Sequence, residues 1–230
     1  MKNLKKSITG YEPEILMVQA SSIPVSIISM ACDITMKSDF KLKKFIDQKE
    51  YSALCKKLLE MNHTSIFEHV HYTFFIKNIT RSLLAQLTRH RIGSFTSGSQ
   101  HYQEYDSHYG FSISKRYSSN VLVIQAIQQC IESYRLLRQA KVPKEEARQV
   151  LPNAIHVNLL WSVNARSLIN FLNLRLCARN VLEMKIFAQE IHELVKKHFP
   201  ELFDYVGSDC FMTKCKQGGM SCTKNVSKYK

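Results

Sequence analysis

Gln86 to Tyr105 reads QLTRHRIGSFTSGSQHYQEY, and its residue types suit chemistry on a charged ligand. Arg89, His90 and Arg91 place three cationic or ionisable groups in a row. Gly93, Ser94, Thr96, Ser97, Gly98 and Ser99 follow, and then His101 and Tyr102. Guanidinium groups bind phosphate through two parallel hydrogen bonds, and hydroxyls and backbone N–H groups fill the remaining oxygens. Small residues let a ligand approach the backbone closely. The stretch therefore reads as a site for a phosphorylated ligand. A basic turn on a solvated surface has the same composition, and the stretch alone leaves the two readings open.

Three further groups of residues invite the same question. His63, Glu68 and His69 lie within seven residues, which suggests a metal. Their spacing is not that of a zinc helix, with its two histidines four apart around a Glu, so a polar loop running into a strand is the better reading. For Glu68 and His69 the default role is to satisfy buried hydrogen bonds. Arg166 and Asn170 are four apart and share a helix face, with Asn164 at the N-cap and Leu168, Phe171, Leu172 and Leu174 opposite. That pattern fits a ligand-facing helix, and equally any exposed one. Cys210, Cys215 and Cys222 cluster near the C-terminus with loose spacing and no CxxC pair, so free thiols are favoured over zinc and no metal is expected.

The elements that must position these groups follow from periodicity. Leu83, Leu84 and Leu87 form the apolar stripe of a helix that Thr80 can cap, and Arg-His-Arg comes at its end. Glu14–Ala20 is an apolar run suited to a buried strand, and Pro24 starts a helix that Val25 to Cys32 continues. Phe40 to Met61 is basic and amphipathic, with Leu42, Phe45, Ile46, Leu54, Leu58 and Leu59 as core candidates and a break near Asp47. Val70 to Ile76 is aromatic and β-branched, a strand. Residues 106–117 read as irregular or extended. Ser119 to Ala140 is a long helix with Val123, Ile127, Ile131 and Leu137 inward, and Pro143 opens a short one stopped by Pro152. Ile155, Val157, Leu159 and Trp161 alternate along a strand over 153–163, and Val181 to Phe199 is a further amphipathic helix.

Composition narrows the class. A chain with 45% hydrophobic residues and only 7 Gly and 5 Pro is globular and helix-rich. Seven scattered cysteines argue against a disulfide framework. No signal peptide and no membrane span is expected, so the reading is a cytoplasmic protein. The formal charge of +13 predicts attraction to polyanions, whether nucleotides in pockets or nucleic acid on a surface. No nucleic-acid motif is recognised, although a basic, non-catalytic nucleic-acid-binding protein stays as an alternative.

The spacing of Arg89-His90-Arg91, Ser94, Ser99 and Tyr102 resembles the signature of the flavin-dependent thymidylate synthases, RHRxxSxNxxSxRY. Thr96 stands at its Asn and His101 at its last Arg. Three more blocks, in the right order, are similar to that family: His63-x-Ser65-x-x-Glu68-His69, Arg148 just before Leu151-Pro152, and Asn164-x-Arg166 with Asn170 and Arg175. Arg179 to Glu183 departs from the family's usual Ala-Gln-Trp-Glu-like run.

The resemblance implies an α+β fold, a mainly antiparallel sheet with helices packed against it. Residues 1–206 would form one catalytic domain, and 207–230 a Cys- and Lys-rich tail. It implies FAD at His63, Ser65, Arg89, His90, Arg91, Ser97, Asn164, Arg166 and Asn170. A pyrimidine nucleotide would meet Gln86, Ser99, His101, Tyr102, Arg148 and Arg175. The reaction implied is C5 methylation of dUMP to dTMP, with methylenetetrahydrofolate and NADPH as co-substrates, in a homotetramer that shares its active sites. The departures within Thr96–His101 leave a relative such as UMP as an alternative. Arg175 would be catalytic, because a cation near N3 and O2 of the ring pushes electron density to C5.

Overall fold

The computed structural model describes residues 8–37, 48–105 and 109–222. Core candidates Leu42, Phe45 and Ile46, and the break near Asp47, lie outside them. The strands are β1 (Ile8–Thr9), β2 (Glu14–Ala20), β3 (His71–Thr80), β4 (Ser94–Ser97), β5 (Phe111–Ser112) and β6 (His156–Asn164). The helices are α1 (Pro24–Met36), α2 (Gln48–Glu60), α3 (Arg81–Leu87), α4 (Val121–Gln139), α5 (Lys144–Ala147), α6 (Ala165–Arg175), α7 (Leu182–His198), α8 (Pro200–Phe203) and α9 (Asp209–Met212).

Four strands form one sheet in the order β2-β3-β6-β4, and β1 pairs with β5 in parallel. Hydrogen-bonded partners in the large sheet run in opposite directions: Thr73 meets Ser162 and Arg81 meets Ile155, while Ser21 meets His71 and Asn78 meets Glu14. The fold is thus α+β with a mainly antiparallel sheet. Strand alternation explains β6, whose Val157, Leu159, Trp161 and Val163 are buried while Asn158 and Leu160 are exposed.

Contacts gather in two compact units. The first comprises Met1–Leu16 and Phe74–Trp161, and the second Met17–Thr73 and Ser162–Lys230. In the first, Tyr105, Phe111, Ile127, Ile131, Tyr134 and Ile155 form a buried cluster, with Val123 and Leu137 packed against it. In the second, α6 packs on α7 and on the 3-10 helix Thr64–His69, with Phe171 edge-on to Phe187 at 6.0 Å. Residues 207–222 fall within this second unit.

Several expectations need correcting. Glu14–Ala20 is a strand but not a buried one. It is the sheet's edge, and Leu16 is 61% exposed because nothing described covers that face. The segment read as a polar loop is the 3-10 helix Thr64–His69, and Glu68 and His69 on it are exposed rather than buried. Leu174 is also exposed rather than on the apolar back, since it follows Asn170 by four residues and so shares the outward face of Arg166 and Asn170. In α2, Tyr51, Cys55 and Leu58 are the core residues, while Leu54 and Leu59 are half-buried.

Candidate functional site

In the first unit the signature follows a capped helix. The Thr80 hydroxyl accepts from the Leu83 N–H at 3.0 Å, and Leu83, Leu84 and Leu87 are buried. Gln86 lies half-buried on this helix. Arg89 and His90 leave it through turns in which their N–H groups donate to the Gln86 and Leu87 carbonyls. The side chains of Arg89 and Arg91 are exposed, and His90 is half-buried. The chain then enters β4, where Phe95 turns inward and stacks on Trp161 at 5.9 Å while Ser94, Thr96 and Ser97 face outward.

The segment after β4 is held from several sides. Arg81 donates to the Gly98 carbonyl at 3.2 Å, and the Gly98 N–H donates to Asn158 at 3.0 Å. A Cβ at Gly98 would sit 2.8 Å from the side-chain amide of the exposed Gln103, which would have to swing aside. Ser99 closes the turn, its hydroxyl accepting from the His101 N–H at 3.2 Å and its carbonyl from the Tyr102 and Gln103 N–H groups.

This turn faces α5. His101 Nδ1 lies 3.9 Å from the Glu145 carboxylate, and Lys144 reaches the Tyr102 carbonyl at 3.5 Å. Arg148 Nε donates to the Glu145 backbone carbonyl at 3.0 Å. Ser99, His101, Tyr102 and Arg148 are therefore gathered in one unit, although some fifty residues separate Arg148 from the turn. Tyr102 is 78% exposed, its ring edge-on to His101. Arg81, Lys144 and Glu145 were not singled out from the sequence. Arg81 had only its place at the first position of α3 as a signal, and the α5 pair had none.

The remaining candidates lie in the second unit. Asn164 caps α6, its carboxamide oxygen accepting from the Ser167 N–H at 2.9 Å. The helix buries Leu168, Ile169, Phe171 and Leu172 and leaves Arg166 and Asn170 exposed, as the four-residue spacing requires. Arg166 forms an ion pair with Glu68 of the 3-10 helix, and the Ala165 N–H donates to the Val70 carbonyl at 2.7 Å. His63 and Ser65 are exposed at the start of that 3-10 helix. These residues thus occupy two packed elements, one of them bearing the cation.

Arg175 closes α6. It donates to the Asn180 side-chain oxygen at 3.2 Å, and Asn180 in turn donates to the Leu174 and Cys177 carbonyls at 2.7 and 3.1 Å. Asn180 thus ties the cation to the end of its own helix. Burial lowers the affinity of Arg175 for its proton, yet a guanidinium stays charged at neutral pH. The sequence singled out the Arg179–Glu183 run only as a departure; its Asn180 braces Arg175. Among the described residues no group of His, Cys, Asp or Glu is arranged to hold a metal, and no helix is long and apolar enough to cross a membrane.

Residues 16–201 match the family described as thymidylate synthase complementing protein. The chain is 34% identical over 220 residues to a flavin-dependent thymidylate synthase of Geobacter sulfurreducens, covering 92% of this chain and 94% of that one. It is 32% identical to one of Clostridium tetani, covering 92% and 89%. Among solved structures, a UMP/dUMP methylase from Streptomyces cacaoi, bound with 5-Br dUMP, superposes with a TM-score of 0.75 at 21% identity, covering 86% of this chain and 95% of that one. The flavin-dependent thymidylate synthase of Helicobacter pylori, complexed with FAD and dUMP, gives 0.73 at 24%, covering 85% and 100%. Both share the fold seen here. With the signature on its turn and the family match running through both units, the chain belongs to the thymidylate synthase complementing proteins, the family of the flavin-dependent thymidylate synthases.

Proposed function

We propose that the protein methylates C5 of dUMP to give dTMP, with methylenetetrahydrofolate as carbon donor and NADPH as reductant, in the cytoplasm. The observation that carries this reading is the signature turn Ser97–Glu104, which sets His101 3.9 Å from Glu145 of α5, the residue whose backbone carbonyl Arg148 engages. A hydroxyl, an imidazole and a guanidinium suit the phosphate and sugar of a nucleotide. Tyr102 and Gln86 would complete that side.

The second unit fits FAD. His63, Ser65, Asn164, Arg166 and Asn170 supply donors and a cation on two packed elements, and the exposed Arg166–Glu68 pair costs little to open for a phosphate. Arg89, His90, Arg91 and Ser97 are the flavin contacts proposed for the first unit. When bound, FAD supplies the hydride that completes the methyl group. Arg175 would stabilise negative charge on N3 and O2 of the uracil ring, and its brace to Asn180 holds the guanidinium oriented before substrate arrives.

A second reading, with UMP accepted beside dUMP, is favoured by His101 and Thr96, which stand where the signature has Arg and Asn. Membership of an enzyme family supports catalysis over a non-catalytic nucleic-acid binder. We also propose a homotetramer with shared active sites. Exposed apolar side chains on β2, α1 and α4, such as Leu16, Met36 and Leu122, support subunit contact, and analytical ultracentrifugation tests it.

The deciding experiment adds FAD to the purified protein, desalts it and records the visible spectrum. The protein is then incubated with methylenetetrahydrofolate, NADPH and either dUMP or UMP. A retained flavin band and dTMP formation are expected. A folded protein that keeps no flavin overturns the proposal, and methylation of UMP at a comparable rate establishes the second reading.

A further inference from the structure

Beyond the residues assigned to the reaction, the second unit holds a small cleft lined by three thiols, Cys177, Cys210 and Cys215. One wall is the end of α6, with Asn173 and Leu174, and the other is the segment Ser208–Gln217. That segment lies beyond the family match, which stops at residue 201. It is folded back by named contacts. Arg179 hydrogen-bonds to Gln217 and reaches the Met220 sulfur at 3.7 Å, and Lys216 pairs with Asp209 at 3.0 Å. No disulfide joins the described cysteines.

The three thiols are not equivalent. The Ser221 hydroxyl, itself only 6% exposed, and the Gln217 backbone N–H donate to the Cys215 sulfur. Arg179 adds positive charge, with Asp209 opposing it. These donors favour the anionic sulfur, so the Cys215 thiol lies below its usual range. Elsewhere the trend is opposite, burial raising Cys32 and pushing Cys55 up to about 12. A thiol biased toward its anion, lining one cleft with two further thiols, has the requirements of an oxidation-sensitive site.

We propose that Cys215 is a peroxide-sensitive thiol, and that its oxidation ends in a disulfide to another thiol of the cleft. The Cys215 thiolate attacks one oxygen of hydrogen peroxide, the O–O bond breaks, and hydroxide leaves with the electron pair. The resulting sulfenic acid is then attacked by Cys177 or Cys210. The S–S bond forms, the S–O bond breaks, and the displaced hydroxyl leaves as water with the attacking thiol's proton. Two thiols and one peroxide thus give one disulfide and two waters. A link to Cys177 would fix the helix end that Asn180 ties to Arg175. That consequence for turnover rests on the role proposed for Arg175, whereas the oxidation itself does not.

The test therefore reads thiols and not activity. The full-length reduced protein is titrated with hydrogen peroxide, alkylated and digested without reductant, and its peptides are mapped by mass spectrometry. The expected first product is a disulfide from Cys215 to Cys177 or Cys210, with Cys32, Cys55 and Cys130 still alkylated. Iodoacetamide at pH 6.5 should label Cys215 about tenfold faster than the exposed Cys210. Ser221→Ala should slow that labelling several-fold while leaving Cys210 unchanged, and Cys215→Ser should abolish early disulfide formation. Labelling no faster than Cys210, or the same early disulfides in Cys215→Ser, overturns the proposal.

Discussion

The two units hold their candidate residues by different means. In the second, Arg166, Asn170 and Arg175 project from one eleven-residue helix whose back, Leu168, Phe171 and Leu172, is buried. Their mutual placement follows from helical geometry, and Asn164 at the cap anchors the start. In the first, Ser99, His101 and Arg148 come from a turn and the end of a short helix, held by hydrogen bonds such as those to Gly98, Tyr102 and the Glu145 carbonyl. Packing energy holds the first set only indirectly. A regular element tolerates change at one site residue because its neighbours still position the rest. A turn held by polar contacts rather than by a packed face passes each change on to its neighbours.

The strongest way to break that contrast is Arg175→Ala. On a packed helix its loss should remove the cation and little else. Turnover is expected to fall about 10²- to 10³-fold, as for loss of one preorganised charge partner. The retained flavin band and the melting temperature should be unchanged. Equal loss of flavin would show that α6 does not hold its residues independently.

A second effect separates the units by pH. His156 in the first unit is half-buried beside Ser112, 2.6 Å from its hydroxyl, and partial burial pushes the imidazole down to about 4. The unfolded chain takes up this proton near pH 6.5 and the folded one only near 4, so acid favours unfolding. The stabilising contribution is complete above pH 6.5 and is lost as pH falls from there towards 4, by about 2 kcal/mol after allowance for solvent screening. Trp161, the single tryptophan, lies in the same unit against Phe95, so its fluorescence reports this loss. His156→Asn should flatten the pH dependence of the fluorescence-detected midpoint; an unchanged slope would assign it to another group.

What the sequence disclosed follows the same division. Local rules located the Thr80 and Asn164 caps, the alternation from Ile155 to Trp161, and the shared face of Arg166 and Asn170, because each depends on residues a few positions apart. The bounds of Glu14–Ala20 were legible but its burial was not. An apolar run gives no sign of whether a neighbour covers its outer face, and at a sheet edge none described here does. Arg81 on Gly98, Lys144 on Tyr102 and Asn180 on Arg175 were invisible for a related reason. Each is a polar contact made by chain folding, with no periodic pattern to announce it. The candidate residues of the turn are read from their types, whereas the contacts that hold the turn are visible only in the fold.

Asn164 sharpens the contrast at smaller scale, since it is both a helix cap and a proposed flavin contact. Asn164→Ala should cost about 1 kcal/mol of stability, read by urea denaturation. Asn164→Asp keeps a capping oxygen and should recover most of that loss. If the carboxamide also meets the cofactor, both variants will weaken FAD retention after desalting. Retention restored by Asp would leave Asn164 as a cap alone.

The smallest expected effect lies on the turn. His101→Arg restores the signature residue at the position facing Glu145, 3.9 Å away. A guanidinium there is permanently charged and can grip a phosphate with two hydrogen bonds, which an imidazole cannot. Both ends of the trade sit near the surface, so the gain is limited: the KM for dUMP should fall about threefold with kcat nearly unchanged. A phosphate contact does not see the 2′ position of the sugar, so the KM for UMP should fall by the same factor. If His101 instead reads the sugar, the dUMP-to-UMP ratio will change, and the choice of nucleotide will belong to this one turn. If neither KM moves, Arg148 holds the phosphate without help from position 101, and the turn does not pass a change at one residue on to its neighbours.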